Sequence, residues 1–280
     1  MSDESAPRYV FSYGGGVQSN AVMVLAEQGK IRVDAFVFAN VGDDSENPET
    51  LAYIENHAKP YMEAHGMRYI EVRRKGPSLY QVAADPKRRS VCIPARRRAE
   101  GGSDGRAHRN CTTDWKIVPV DRWIVGNYAG QHVKLGLGIS VDEFQRARST
   151  AWNDRDDVSK RKLGFWRSRW YPLLDLRLNR VQCAELILSA GLPLPPKSSC
   201  FFCPFRRKPE WVTLRAENPE LFERAAKLED ALNAKGLEGV YRLHGTPNWF
   251  SLREWVSSNI TLPLFGDDED GCADGGWCHT

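Results

Sequence analysis

The sequence predicts an α/β fold: a doubly wound, mostly parallel sheet with a C-terminal helical extension and a flexible tail. Apolar, β-prone runs alternate with helical runs over the first seventy residues, a pattern that yields parallel strands joined by crossovers. A glycine turn stands between the first strand and the first helix, where such sheets place ligands at the carboxyl ends of strands. The 280 residues, 41% hydrophobic, are enough for one large domain or a domain with an appendage.

Residues 8–13 read as the first strand, and about 18–28 as the first helix. Between them runs Ser12-Tyr13-Gly14-Gly15-Gly16-Val17-Gln18-Ser19-Asn20. Glycines let backbone N–H groups approach an oxyanion, and the helix N-terminus adds a favourable dipole. Ser12 and Ser19 add hydroxyl donors. No Gly-Lys-Ser/Thr closes the turn, and its spacing is not the dinucleotide-binding pattern. A plain structural turn is the competing reading. Residues 33–39 form a second strand, 40–45 a polar loop, 47–65 a helix with Pro48 and Glu49 in its first turn, and 67–72 a third strand. Residues 133–139 form another strand, and 151–169 a polar excursion. Helices cover 179–190, 208–216 and 219–235.

Net charge is only +3, but its distribution is uneven. Within 85–110, Lys87, Arg88, Arg89, Arg96, Arg97, Arg98, Arg106 and Arg109 face only Asp85, Glu100 and Asp104. A basic, mobile segment with Gly101–Gly105 as a flexible turn suits phosphates of a nucleotide or a nucleic acid; a solvated loop is the alternative. No apolar run approaches transmembrane length, and the acidic Met1–Ser5 is unlike a signal peptide. The expected location is cytoplasmic, with no membrane partner.

Seven cysteines in a cytosolic chain point to metal or redox chemistry before disulfides. Cys200 and Cys203 form a C-x-x-C followed by Pro204. Zinc normally wants a second nearby pair, and a redox pair normally opens a helix early in a βαβ pattern. An iron–sulfur site with distant ligands remains, and Cys111 is the best distant candidate. Cys92 and Cys183 also read as small buried hydrophobes.

The stretch Ser12–Asn20 resembles the PP-loop of the adenine-nucleotide α-hydrolase superfamily, which holds ATP pyrophosphatases and sulfonucleotide (PAPS/APS) reductases on Rossmann-like sheets. Asn40–Thr50 is similar to its second motif. Gly138–Arg146 is similar to its glycine, acid and arginine element. Cys111 with Lys116 and Pro119, then Cys200 and Cys203, look like the cysteine elements of the cluster-bearing reductases. The resemblance implies nucleotide contacts from Ser12, Gly14, Gly15, Gly16, Gln18 and Ser19. It implies others from Asn40, Gly42, Glu49, Gly138 and Arg146. It also implies a 4Fe-4S cluster on Cys111, Cys200 and Cys203, with Cys92, Cys183, His108 or an open site at the fourth iron. Catalytic roles fall to Lys116 and to Cys278, which looks like the reductases' terminal nucleophile.

There are departures. Gln18 replaces the pyrophosphatase aspartate, as in the reductase branch. The reductases' adjacent cysteine pair is single here, because Asn110 precedes Cys111. The first expectation is therefore a PAPS/APS reductase reset by a thioredoxin-like thiol donor. The second is an AMP-forming ATP pyrophosphatase, with Mg²⁺, that activates a nucleic acid for sulfur insertion. The third is a non-catalytic nucleotide- or nucleic-acid-binding subunit. The expected divisions are 1–205 for the nucleotide and cysteine unit, 206–258 for the helical extension, and 259–280 for the tail.

Overall fold

A computed structural model describes residues 6–98, 104–147, 166–237, 239–244 and 249–258. Strand β1 (Arg8–Tyr13) leads through the glycine turn into helix α1 (Val17–Glu27). Strand β2 (Ala35–Asn40) is followed by α2 (Pro48–Tyr53), a π-helical segment (Ile54–Ala58) and α3 (Lys59–Ala64). Strand β3 (Tyr69–Arg73) and α4 (Leu79–Ala84) come next.

Short strands β4 (Arg96–Arg98) and β5 (Asp104–Arg106) precede α5 (Asn110–Thr112), a second π segment (Thr113–Ile117) and α6 (Val118–Tyr128). Then come β6 (His132–Gly136), a 3₁₀ turn (Val141–Arg146), β7 (Trp166–Trp170), α7 (Pro172–Asp175) and α8 (Arg180–Ser189). The chain continues through α9 (Lys208–Glu217), α10 (Pro219–Asn233), β8 (Val240–Arg242) and α11 (Leu252–Ser257).

Five strands form one sheet in the order β3-β2-β1-β6-β7, and every neighbouring pair is parallel. Period-two alternation explains why both faces are covered. Phe11, Tyr13, Phe36 and Phe38 pack with residues of α1 and the α2–α3 rod. Val10, Ala35, Val37, Val133 and Leu135 pack with Val120 and Ile124 of α6. The α/β fold and its helical extension thus stand as the sequence implies.

Two segments differ from expectation. The polar run 151–169 predicts an excursion, yet its end enters Trp166–Trp170, a sheet strand paired with β6; residues 148–165 lie outside the described residues. The strand's buried Arg167 is neutralised by Asp121 of α6, a partner that a local pattern cannot reveal. The basic segment was expected to be a mobile loop, but β4 and β5 pair antiparallel and β8 adds a third strand. Residues 99–103 and the tail, with Cys272 and Cys278, lie outside the described residues.

A further core joins the extension to the rest. Trp211, Phe222, Leu228 and Trp255 share it with Leu79, Ile93, Trp115, Phe201 and Phe202. Arg224 of α10 donates to the Asp44 carbonyl at 3.0 Å and lies over the rings of Tyr80 and Phe201. The C-terminal helices therefore brace the loop after β2.

Candidate nucleotide and cysteine site

The carboxyl edge of the sheet opens on a cavity of about 540 Å³. Strand β1 has β2 on one side and β6 on the other, so the cavity sits at the topological switch point. Gly16, Val17 and Gln18 form one wall, and Ser140, Asp142, Glu143 and Arg146 another. Cys111, Thr112 and Lys116 line it with Ser198, Ser199, Cys200 and Cys203.

The glycine turn is held by its own side chains. Gly14 N–H donates to Ser19 Oγ at 3.0 Å. Asn20 Nδ2 donates to the carbonyls of Gly15 and Gly16 at 3.2 and 2.9 Å, and Tyr13 donates to Asn20 Oδ1 at 2.8 Å. Gly15 has φ +74°, and a Cβ there would stand 3.0 Å from Ile54 Cδ1 and Thr50 Cγ2; both facts select glycine. No side chain caps the N-terminus of α1, so its first-turn N–H groups are open to a ligand in the cavity.

Arg146 places a buried cation on the opposite wall of the cavity. Its side chain is only 6% exposed, and one terminal nitrogen pairs with Glu143. Its Nε is buried without a hydrogen-bond partner. Glu143 in turn lies 3.5 Å from Gln18 Nε2, which ties the 3₁₀ turn to α1. Burying such a donor unpaired is unfavourable, so an anion in the cavity would complete it.

Of the expected nucleotide contacts, Gly16, Gln18 and Arg146 line the cavity, whereas Ser12, Gly14, Gly15, Ser19, Asn40, Gly42, Glu49 and Gly138 do not. Ser12 is buried within β1, and Ser19 is engaged by Gly14. Gly138 packs against Gln18, with 3.3 Å from a built Cβ to Gln18 Cβ. Asn40 accepts from Gly42 N–H at 2.8 Å and donates to Asp43 and Glu71, which shapes the turn after β2. Gly42 takes φ +130° within that turn. Glu49 is exposed in the first turn of α2 and does not line the cavity.

The cysteine end is built from two distant segments. Cys203 N–H donates to the Cys200 carbonyl at 3.1 Å, closing the C-x-x-C turn. Cys200 forms a β-bridge with Glu46, and Phe201 N–H donates to Ser45 O at 3.3 Å. This fastens the turn to the loop after β2. Cys111 is carried in by α5. Cys92 is buried behind it and does not line the cavity; its carbonyl accepts from Cys111 N–H at 2.9 Å. Cys183 is buried against α1 in a separate core.

Burial pushes the Cys200 and Cys111 thiols up, while the Lys116 charge pulls both down. Burial also raises the Glu46 carboxyl, again opposed by Lys116. Lys116 is thus the shared cation of the cysteine end. Among the described residues, no three His, Cys, Asp or Glu side chains are grouped to grip a single metal ion. Cys111, Cys200 and Cys203 nevertheless all line the one cavity.

Several site residues escaped the sequence reading. Glu46 is an ordinary loop acid until the Cys200 bridge buries it. Arg206 lines the cavity with Nε and Nη2 buried and without hydrogen-bond partners; its position three residues after Cys203 was the available signal. Phe205 also lines the cavity. Asn20 stood within the glycine stretch, but its polar side chain gave no sign that it would pin two carbonyls.

No protein-family model matches the chain, and no curated protein matches its sequence. Among solved structures it is similar to the U34-tRNA thiolase NcsA from Methanococcus maripaludis with its [4Fe-4S] cluster. Identity is 13% and the TM-score 0.44, over 82% of this chain and 73% of that chain. Among the described residues, no helix is long and apolar enough to cross a membrane.

Proposed function

We propose that the chain is a PP-loop enzyme that activates a nucleic-acid acceptor with ATP and replaces the activated oxygen with sulfur. One observation carries this reading. The uncapped N-terminus of α1, buried Arg146 and three cysteines open on the same cavity, so an activated intermediate formed at one end needs no transfer between sites. The α1 N–H groups and Arg146 bind the phosphates. The acceptor oxygen attacks the α-phosphorus, the bond to the bridging oxygen of the β-phosphate breaks, and pyrophosphate leaves. Sulfide then attacks the carbon bearing the adenylate, the carbon–oxygen bond breaks, and AMP leaves with that oxygen.

Cys111, Cys200 and Cys203 would hold the 4Fe-4S cluster. Bound by three thiolates, the cluster would supply an iron position open to inorganic sulfide. Lys116 offsets negative charge at this end. The cavity acids are already engaged: Asp142 accepts from Arg180 N–H, Glu143 pairs with Arg146, and Glu210 with Lys197. Mg²⁺ would therefore be held chiefly by the nucleotide's own phosphates.

Gln18 favours a second reading, reduction of PAPS or APS by a thioredoxin-reset enzyme. There, the Cys278 thiolate would attack sulfur, forming S-sulfocysteine and releasing the nucleotide. Anaerobically purified protein given labelled ATP, PAPS or APS, with thioredoxin, inorganic sulfide and bulk RNA or DNA as acceptor, separates the two. AMP and pyrophosphate without sulfite are expected. Sulfite release that disappears in Cys278→Ser would overturn sulfur insertion in favour of reduction. Failure to turn over any of the nucleotides would leave a binding subunit.

A further inference from the structure

Just after the C-x-x-C turn stands an arginine with an unbonded edge. Arg206 N–H donates to the Cys203 carbonyl at 3.0 Å, which closes a second turn behind the first. Its guanidinium lies over the Trp211 ring, 5.6 Å from the centroid, and the residue lines the cavity. Among the described residues, its Nε and Nη2 are both buried without a hydrogen-bond partner. Those two nitrogens share one side of the planar fork, the side that can bond two oxygens of one oxyanion at once. The acid beside it is Glu210: burial raises that carboxyl, but Lys197, the Arg207 N–H and the Arg206 charge together hold it below its ordinary value. Both Glu210 oxygens are already taken, by Lys197 Nζ at 2.7 and 2.9 Å and by Arg207 N–H at 2.8 Å.

A hydroxyl meets the same cavity. Ser199 Oγ is likewise buried without a partner, and Ser199 lines the cavity with Arg206. Ser199 stands between Cys200 and Ser198, and Ser198 Oγ lies 2.6 Å from a Cβ built on Gly16. It therefore belongs to the segment that joins the glycine turn to the cysteine end. Burying a guanidinium edge and a hydroxyl unbonded is unfavourable for each, and one tetrahedral oxyanion would satisfy both. In the reading above, the nucleotide's phosphates already have the α1 N-terminus and Arg146 on other walls.

We propose that Arg206 and Ser199 form a second oxyanion subsite, which takes a phosphate-like group that is not the nucleotide's. A phosphodiester of the acceptor strand and a free sulfur oxyanion such as thiosulfate share that chemistry. The proposal deepens the sulfur-insertion reading and rests on it for the anion's role, though not for its binding.

The test is calorimetry on the full chain, purified anaerobically with its cluster and saturated with Mg²⁺ and α,β-methylene-ATP. The titrants are thiosulfate, the dinucleotide UpU and uncharged uridine. Thiosulfate or UpU is expected to bind one to one beside the analogue. Arg206→Gln should weaken that binding about tenfold or more, as loss of a hydrogen bond to a charged group does. Arg206→Lys should recover part of the loss, because it restores the charge without the fork. Ser199→Ala should weaken the same titration and keeps the test valid if the glutamine variant fails to fold. UpU bound more tightly than uridine through Arg206 assigns the group to the acceptor. Thiosulfate binding, with UpU no better than uridine, assigns it to a sulfur donor.

No anion binding beside the analogue, competition between the two, or an Arg206→Gln variant that binds the anion as tightly would overturn the subsite. So would a variant that loses the analogue to the same extent, which would give the arginine to the nucleotide. Anion binding confined to cluster-free protein would give both donors to the cluster instead. Nucleotide cleavage without anion binding sinks the subsite alone. Arg206-dependent anion binding without nucleotide binding or turnover sinks the activity alone.

Discussion

Replacing His244 or Glu229 should uncover a pH dependence that the intact protein hides. Glu229 of α10 is buried and accepts from Leu243 and Leu252 N–H at 2.8 and 2.7 Å. It thereby ties the end of β8 to the start of α11. Burial pushes its carboxyl from 4.5 to about 7, despite those bonds and nearby Arg242; Asp230 adds to the rise. Buried His244 donates its Nε2–H to the Phe250 carbonyl at 2.8 Å and stacks on Trp255. Burial drops its imidazole from 6.5 to about 4, aided by Arg242 and Lys208 and opposed by the Phe250 bond.

The two groups act with opposite sign. Between pH 4.5 and 7 the folded state holds a proton on Glu229 that the unfolded chain has lost, so stability falls as pH rises. Between pH 4 and 6.5 the unfolded chain holds a proton on His244 that the folded state lacks, so stability rises with pH. Each shift is worth about 3 kcal/mol at 1.36 kcal/mol per unit, and the slopes cancel from about 4.5 to 6.5. Relative to the unmodified chain, His244→Phe should lose about 1.4 kcal/mol per unit as pH rises through that window. Glu229→Gln should gain as much. Urea unfolding followed by tryptophan fluorescence reads the difference. Variants that track the unmodified chain's slope, whatever their offset, would refute the reasoning.

Two substitutions probe the cavity itself. Asn20→Ala removes the donor to the Gly15 and Gly16 carbonyls and should cost about 1–3 kcal/mol, read by thermal unfolding, together with weaker ATP binding by calorimetry; unchanged binding would mean that the glycine turn holds without its clamp. Pro119→Ala restores the N–H that the second π segment lacks, and should lower ATP turnover by swinging Lys116 from the cysteine end while the melting temperature holds or rises; unchanged turnover would remove Lys116's placement from the mechanism.

Strands β1, β2, β3 and β6 of the main sheet were legible because their apolar residues are contiguous. Strand β7 was not: Trp166-Arg167-Ser168-Arg169-Trp170 reads as polar, and Arg167 is tolerated only through Asp121. The β4–β5 hairpin was hidden in the same way, because its arginine-rich strand is completed by β8 from the far end of the chain. At the site, the glycine turn and the three cavity cysteines were visible as types and spacings. Glu46 and Arg206 were not, since their burial exists only once the C-x-x-C turn bridges to the loop after β2.

The spacing of Cys111 and Lys116 gains a physical meaning from the π segment between them. In an α-helix, residues five apart are rotated by about 140° from one another, so the two would face different surroundings. A π turn closes between residues five apart, and here Val118 N–H reaches the Thr113 carbonyl. Pro119 accounts for it: its ring would press on the carbonyl four residues back, and it has no N–H to offer that carbonyl. Widening the turn relieves both conflicts and brings Cys111 and Lys116 to one cavity. Pro60 stands in the same relation to the π segment after α2, where no cavity residue is carried. The proline therefore explains the wide turn, and the cysteine and lysine placed around it turn a local backbone accommodation into a site.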